Sequence, residues 1–313
     1  MIEAGAAVAP RSRAKALLSA GMMAQNDQVW NRSVVRLREA LAVYRAEGAV
    51  AGQAASLFWL GRALANWWDP ERGEDHAAEA TRRFKESLRL FTRLGDWVGV
   101  GWCQVWLSFQ ALWNEDLDRA ERLCQQVIEE CDAAGVRHPV GQALCNLAFI
   151  ARRRGHDDAA LEFLQDAVAL YRDLDDAWQL VGLLVELTAQ QAAMGQGTVA
   201  LQALAESSRL DEQIGPLPGR AFRLAVAAVV HLARGQPTLA VAALGAYDAH
   251  QLGNTLPPRS HVGGYVGSLA DAVETTRARL DSAEVAAARA AARRKSLDEL
   301  IDELIIQPAN PAA

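Results

Sequence analysis

The stretch GQALCNLAFIARRRGHDDAALEFLQDAVALYRD, residues 141–173, contains the pattern that decides the fold. Two small residues, Ala148 and Ala160, stand twelve positions apart on either side of Gly155. Glycine favours a turn, and the abundance of alanine with few prolines favours helix on both sides of it. Two antiparallel helices can approach closely only where their facing side chains are small. The stretch therefore predicts a pair of helices that cross at Ala148 and Ala160.

The same pattern recurs along the chain in steps of 40 residues, with one step of 47. The first column of small residues comprises Gly21, Gly61, Ser108, Ala148, Thr188 and Ala228. The second column comprises Ser33, Ala80, Ala120, Ala160, Ala200 and Ala240. A third, bulkier column comprises Leu37, Phe84, Cys124, Leu164, Leu204 and Leu244. We expect the third column to fill the groove between one pair and the next. The longer step indicates a seven-residue insertion within residues 66–75.

These columns predict an all-α solenoid of about six helix pairs, an arrangement that resembles tetratricopeptide repeats. A single pair cannot bury its apolar stripe, so neighbouring pairs must stack. An irregular helical bundle is the alternative interpretation. We expect the repeats to occupy residues 1–250, in pairs at about 12–47, 51–94, 97–134, 138–174, 177–213 and 217–250.

Residues 251–313 have a different pattern, which predicts a C-terminal helical cap and a loose tail. We expect a loop at 252–258 and helices at 261–280, 283–294 and 297–306. The sequence SLDE, residues 296–299, is a capping box that predicts a helix start. A solenoid needs a polar cap at its end, and this segment would supply it.

Composition excludes several classes of function. The net charge of -6 argues against direct nucleic-acid binding, and no apolar run is long enough to span a membrane. The four cysteines form no C-x-x-C pair, which favours free thiols in a cytoplasmic protein. No nucleophile motif, metal-ligand spacing or phosphate-binding loop is found, so we expect no catalytic residues, no metal and no cofactor.

Several runs resemble the tetratricopeptide sensor region of bacterial signal-transduction ATPase regulators, which include LuxR-type, antibiotic-regulatory and cyclase-linked proteins. The runs are LAVYRAEG (41–48), LRLFTRLGD (88–96), LYRDL (170–174), AVAALGA (240–246), LPP (256–258) and SLDELI (296–301). The resemblance implies a sensor that controls an ATPase and a DNA-binding domain. Because the phosphate loop is missing, we expect those domains to act in trans or to be missing from this chain. The chain would then be a fragment, a split gene product or a free-standing relative.

Aromatic and basic residues concentrate in repeats two to four. Trp102 and Trp113 are eleven residues apart and share one helix face, and Arg152 and Arg153 end a first helix. Tryptophans here could instead pack between repeats, and the arginines could interact with the helix dipole. The column positions predict a concave groove lined by Phe58, Arg62, Trp102, Phe109, Trp113, Gln142, Phe149, Arg152 and Arg153.

The sequence thus predicts a non-catalytic sensor module of a regulatory protein. Its partner would be a protein or peptide, or a small effector, bound in the groove through aromatic anchors and arginines. The alternative is a free-standing scaffold or self-associating adaptor with no small-molecule ligand.

Overall fold

The computed structural model describes residues 9–27, 29–69, 74–215, 220–250 and 272–308. It confirms the predicted all-α solenoid of helix pairs. The first three pairs are α1 (Pro10–Asn26) with α2 (Trp30–Ala46), α3 (Val50–Asn66) with α4 (Ala77–Leu94), and α5 (Trp97–Trp113) with α6 (Leu117–Ala133). The next three are α7 (His138–Arg153) with α8 (Asp157–Asp173), α9 (Ala177–Ala193) with α10 (Gly197–Ile214), and α11 (Phe222–Ala233) with α12 (Pro237–His250).

The remaining elements follow α12. α13 includes residues 272–278, α14 spans Ser282–Ala292, and α15 spans Leu297–Ile301 before a π-helical turn at Asp302–Ile306. The predicted helix at 297–306 is therefore helical throughout but changes type at Asp302. The predicted loop at 252–258 and most of the predicted helix at 261–280 lie outside the described residues. In the part of the chain that the structure describes, no helix combines the length and the apolar composition that crossing a membrane requires.

The two small columns are buried in every pair. Every member of both columns is buried, and most are completely inaccessible to solvent. Ser33 Oγ donates a hydrogen bond of 2.8 Å to the carbonyl oxygen of Gly21, which joins the two columns directly. A Cβ atom on Gly21 would come within 2.6 Å of Leu37 Cγ. In this pair the small residues therefore mark the place where the two helices cross, and larger side chains there would push the helices apart.

Members of the third column pack within their own pair in addition to the predicted groove between pairs. Leu37 packs over Gly21 of its own pair, and Phe84 packs in the same way over Gly61. Phe84 also stacks on Trp106 of the next pair, with ring centroids 5.4 Å apart. In the first two pairs the bulky residue therefore fills the inside of the pair, and Phe84 also contacts the next pair. The reason is that the small first-column residue leaves a hollow that the larger side chain occupies.

Turns between helices recur at fixed positions. Gly95 ends α4 with a left-handed φ of 67°, as expected of a glycine just after a helix. Asp96 then caps α5 by accepting a 3.0 Å hydrogen bond from the backbone N–H of Gly99. Two repeats depart from the glycine rule, because Glu115 (φ 58°) and Asp175 (φ 51°) adopt the left-handed conformation without glycine.

The seven-residue insertion forms a short hairpin. Trp68–Asp69 pairs antiparallel with Glu74–Asp75, in the register Trp68↔Asp75 and Asp69↔Glu74. These two-residue strands are the only β-strands among the described residues. On either side of them, the rings of Trp67 and His76 stack with centroids 4.4 Å apart.

Contacts group the chain into two compact units. The N-terminal unit contains the described residues up to Ala143, and the C-terminal unit those from Leu144 onward. In the C-terminal unit, α11, α12, α14, α15 and the π-helical turn share one hydrophobic cluster. The predicted capping box is present, because Ser296 N donates to Glu299 Oε2 at 2.7 Å and Glu299 N donates to Ser296 Oγ at 3.2 Å. The C-terminal helices are thus packed against the last pair.

Candidate functional site

A chain of aromatic rings runs through the N-terminal unit. On α5, Trp102, Trp106, Phe109 and Trp113 are spaced four, three and four residues apart, which places them on one face of the helix. The ring centroids of Trp106 and Phe109 are 5.7 Å apart, and those of Phe109 and Trp113 are 5.9 Å apart. Both contacts are edge-to-face, a favoured geometry for aromatic pairs. These contacts join Trp106, Phe109 and Trp113 into one packed row of rings.

Helix α3 adds two more rings and a cation to this row of rings. The ring of Phe58 packs edge-to-face on that of Trp59, with centroids 5.5 Å apart. Its centroid lies 6.0 Å from that of Phe84, and these two rings are tilted relative to each other. Arg62 follows one turn later, with its Cζ 4.9 Å from the Trp59 ring centroid and 6.0 Å from that of Trp106. Both distances are within the range of cation–π attraction.

Arg62 lacks the partners that a buried arginine normally has. Its Nε is buried without a hydrogen-bond acceptor, and no carboxylate among the described residues forms an ion pair with it. Burial lowers the pKa of Arg62 to about 10, which still leaves the guanidinium charged at neutral pH. The site therefore contains a desolvated positive charge that only ring faces stabilise.

Two further N–H donors of the same unit have no acceptor. Trp113 Nε1 and Gln142 Nε2 are buried and lack hydrogen-bond partners within the described chain. Gln104 Nε2 donates to Glu130 Oε2 at 2.8 Å, but Gln104 Oε1 accepts no hydrogen bond. A buried polar group without a partner costs about 1–3 kcal/mol, so water or a ligand is expected to satisfy these atoms.

The C-terminal unit contains a buried carboxylate. Glu186 on α9 is 4% exposed, and its Oε2 lies 3.7 Å from Arg152 Nη2. Burial raises the pKa of Glu186 to about 7, and the charge of Arg152 only partly opposes this. One turn later, Gln190 Nε2 donates to the backbone oxygen and to Oδ1 of Asp157, both at 3.2 Å. Near the end of α7, Arg153 lies over the Phe149 ring at 5.9 Å.

Polar atoms without partners are concentrated on the first helices of the pairs. Apart from the atoms already described, they include Gln25 Oε1, Ser56 Oγ, Gln190 Oε1 and Gln191 Oε1. Buried serines of the second helices are satisfied instead. Ser87 Oγ donates to the carbonyl oxygen of Ala54, and Ser207 Oγ to that of Val181, both at 2.8 Å. The first helices therefore provide the groups that remain able to bind a ligand.

The structure divides the nine residues of the predicted groove between the two units. Phe58, Arg62, Trp102, Phe109, Trp113 and Gln142 belong to the N-terminal unit. Phe149, Arg152 and Arg153 belong to the C-terminal unit. Phe109 and Gln142 are only 4% and 5% exposed. Phe58, Arg62, Trp102, Trp113, Phe149 and Arg152 are half-buried, and Arg153 is exposed.

Trp59 and Trp106 are not among the predicted groove residues, but they pack in one hydrophobic cluster of the N-terminal unit and also frame Arg62. Glu186 was missed altogether. It stands in the column of Trp59, Trp106 and Asn146, two residues before the first small column. A carboxylate in a column of otherwise uncharged residues was the signal that could have revealed it.

The successive helix pairs and their buried small columns define a tetratricopeptide-like α-solenoid. In agreement, residues 104–173 match a family described as tetratricopeptide repeat. The match covers two helix pairs, α5 to α8. No protein of curated function matches the chain in sequence.

Solved structures share the fold at low sequence identity. A Rap protein complexed with competence and sporulation factor has a TM-score of 0.66 and 12% identity, over 96% of this chain and 78% of that one. The Rap conjugation gene regulator of plasmid pLS20, in complex with the Phr* peptide, has a TM-score of 0.59 and 11% identity, over 85% and 75%. A signal-transduction ATPase with a tetratricopeptide repeat sensor from Pyrococcus horikoshii has a TM-score of 0.55 and 11% identity, over 86% of this chain but only 39% of the ATPase.

Proposed function

We propose that this chain is a non-catalytic regulatory module that binds a protein or peptide partner through the first helices of its pairs. The observation that carries the proposal is the concentration of unsatisfied buried polar atoms on these helices. An extended peptide offers alternating N–H and C=O groups, which side-chain amides such as Gln104 and Gln142 of the N-terminal unit can pair with. Aromatic rings beside them would bury apolar side chains of the partner.

The fold neighbours support this kind of partner. Two of the similar structures are described as complexes with a named factor or peptide, and a third as a tetratricopeptide repeat sensor. We therefore propose a sensor role of the kind implied by the resemblance to signal-transduction ATPase regulators, including those of the LuxR type. The ATPase or DNA-binding domain would act in trans or be missing from this chain. All four cysteines are buried free thiols, which fits a cytoplasmic setting.

Peptide selection tests the proposal directly. A random displayed peptide library is selected on the purified chain, and the Kd of each selected peptide is measured for Arg62→Gln, Trp113→Phe and Gln142→Leu. Arg89→Gln is the matched control, because Arg89 is an exposed residue of the second helix α4. We expect at least one first-helix variant to weaken binding about tenfold, or about 1.4 kcal/mol, with the control unchanged. Peptides that bind all four variants equally would contradict the proposal.

Self-association is a second candidate function, favoured by one exposed apolar patch. At the turn between α4 and α5, Leu94, Trp97 and Val98 are 45%, 42% and 49% exposed. Contiguous exposed apolar side chains are typical of protein interfaces. Light scattering over a concentration series tests this candidate. A mass that rises with concentration, and that Trp97→Asp returns to the monomer value, would favour an adaptor role.

A further inference from the structure

Arg62 differs from the other buried or half-buried arginines of the N-terminal unit. Arg83, on the second helix α4, pairs with Glu79 at 3.0 Å and with Glu86 at 3.4 Å. The more exposed Arg38 and Arg45 also have glutamate partners. Arg62 has none among the described residues, although it is half-buried and its Nε is inaccessible to solvent. Its charge is therefore uncompensated within this part of the protein.

The guanidinium of Arg62 is held in place before any ligand arrives. Trp59 and Trp106 lie 4.9 Å and 6.0 Å from Arg62 Cζ, and Trp106 is itself fixed by stacking on Phe84 with an interplanar angle of 18°. Ring contacts of this kind restrict the rotamers of the arginine. A preorganised side chain loses little entropy on binding, which favours affinity.

The chemistry of the site fits one carboxylate. A guanidinium presents parallel N–H groups that match the two oxygens of a carboxylate. Arg62 supplies one positive charge, which balances a monoanion, whereas a phosphate ester carries about two negative charges at neutral pH. The unsatisfied atoms of Trp113 and Gln142 in the same unit are also donors, so they too favour an acceptor ligand.

We propose that the Arg62 guanidinium, framed by Trp59 and Trp106, binds one carboxylate group of the ligand that the first helices recognise. This inference rests on the proposed function. The carboxylate can belong to a small free acid or to an acidic residue of a bound peptide. Both sources present the same two oxygens to Arg62, and the experiment separates them.

Arginine side-chain NMR signals provide the test on the full-length chain. The Nε–Hε signal of Arg62 is identified by its loss in Arg62→Lys. In one series phenylacetate, phenylacetamide and phenyl phosphate are each titrated into the protein. In a second series a capped tripeptide with a central aspartate is compared with its asparagine analogue. We expect a saturable downfield shift with phenylacetate and with the aspartyl peptide, and none with the two amides. Tighter binding of the peptide identifies a peptide side chain as the source, and tighter binding of phenylacetate a free acid.

Thermal stability gives a second readout. Phenylacetate is expected to raise the Tm of the parent chain and of Arg89→Met, but not that of Arg62→Met. If Arg62→Met does not fold, Arg62→Lys replaces it and should bind phenylacetate about tenfold more weakly, because the forked geometry is lost. An Arg62 signal that no carboxylate moves, or that the amides move equally, would overturn the inference. The same holds if phenyl phosphate binds more tightly than phenylacetate.

The two proposals fail in different ways. If displayed peptides depend on first-helix residues while the Arg62 signal ignores carboxylates, only the carboxylate inference is wrong. If phenylacetate moves the Arg62 signal but no selected peptide depends on the first helices, the proposed function is wrong and Arg62 binds small acids alone.

Discussion

His231 Nε2 lies 2.7 Å from the carbonyl oxygen of Leu304, a residue 73 positions later in the chain. A carbonyl only accepts hydrogen bonds, so His231 Nε2 carries the hydrogen. His231 is completely buried in α11, and its Nδ1 faces the side-chain amide of Gln236 at 3.2 Å. This contact fastens the C-terminal π-helical turn to the last helix pair.

His231 should make the protein less stable in acid. Burial lowers the pKa of His231 from its ordinary value of 6.5, and the nearby charge of Arg234 acts in the same direction. The unfolded chain therefore binds this proton at a higher pH than the folded chain, and stability is lost as the pH falls through about 6.5. We expect His231→Leu to reduce the free energy of unfolding by about 1–3 kcal/mol at pH 8, because the Leu304 carbonyl loses its donor.

Urea denaturation at pH 8 and pH 5.5 measures both effects. His156→Leu is the control, since His156 is exposed at the start of α8 and makes no capping hydrogen bond. The control should change neither the stability at pH 8 nor its dependence on pH. If His231→Leu behaves like the control, His231 does not hold the π-helical turn.

The contribution of Glu186 to the stability of the protein should have the opposite dependence on pH. Burial raises its pKa to about 7 from an ordinary value of 4.5, so the folded chain holds the proton more tightly than the unfolded chain. This contribution to stability is complete below about pH 4.5 and is lost as the pH rises to about 7. We expect Glu186→Gln, compared with the parent chain, to gain stability between pH 5 and pH 8, by about 1.4 kcal/mol per unit of pKa shift.

The comparison requires denaturation curves for the parent chain and Glu186→Gln at both pH values. Glu206→Gln serves as the matched control, because Glu206 is far less buried than Glu186 and forms an ion pair with Arg172 on the second helices. An equal stability difference between the parent chain and Glu186→Gln at pH 5 and pH 8 would show that Glu186 is ionised throughout.

Ala120 should tolerate no large residue. It is completely buried in the second small column of α6, at the crossing with α5. Ala120→Arg would place bulk and charge in that crossing, so we expect destabilisation by several kcal/mol, on the order of the cost of overpacking together with an unpaired buried charge. The melting temperature measures it. Ala134→Arg, at the exposed end of the same helix, should melt within a few degrees of the parent. Equal melting of both variants would contradict the crossing.

Replacing the residue with positive φ by glycine should stabilise the protein at two turns. Glu115 and Asp175 have φ angles of 58° and 51°, where a side chain costs about 1–2 kcal/mol. We expect Glu115→Gly to raise the free energy of unfolding by about 1 kcal/mol, and Asp175→Gly by less, because aspartate tolerates this conformation better. Glu47→Gly is the control and should destabilise, since Glu47 ends α2 with a φ of -84°. A loss of stability in Glu115→Gly would show that its side-chain contacts outweigh the backbone strain.

The sequence predicted the helix pairs well because the signals of pairing are local and repeated. Ala148 and Ala160 mark a crossing only twelve residues apart, and five other copies repeat it, so chance errors in one copy are corrected by the rest. The capping box of Ser296 and Glu299 is equally local. The hairpin in the insertion was not predicted, because that segment occurs once and has no second copy to compare.

The sequence by itself determined which residues form helices, where each pair crosses and that aromatic residues concentrate in the early repeats. Only the tertiary structure decided which side chains share an environment. Arg62 meets Trp106 from the next pair, Glu186 meets Arg152 from the preceding pair, and His231 meets a carbonyl far along the chain. The physical reason is that periodicity fixes the face of a helix on which a residue lies. The distance between faces of different helices, and with it the burial and charge balance of each group, depends on how the pairs pack.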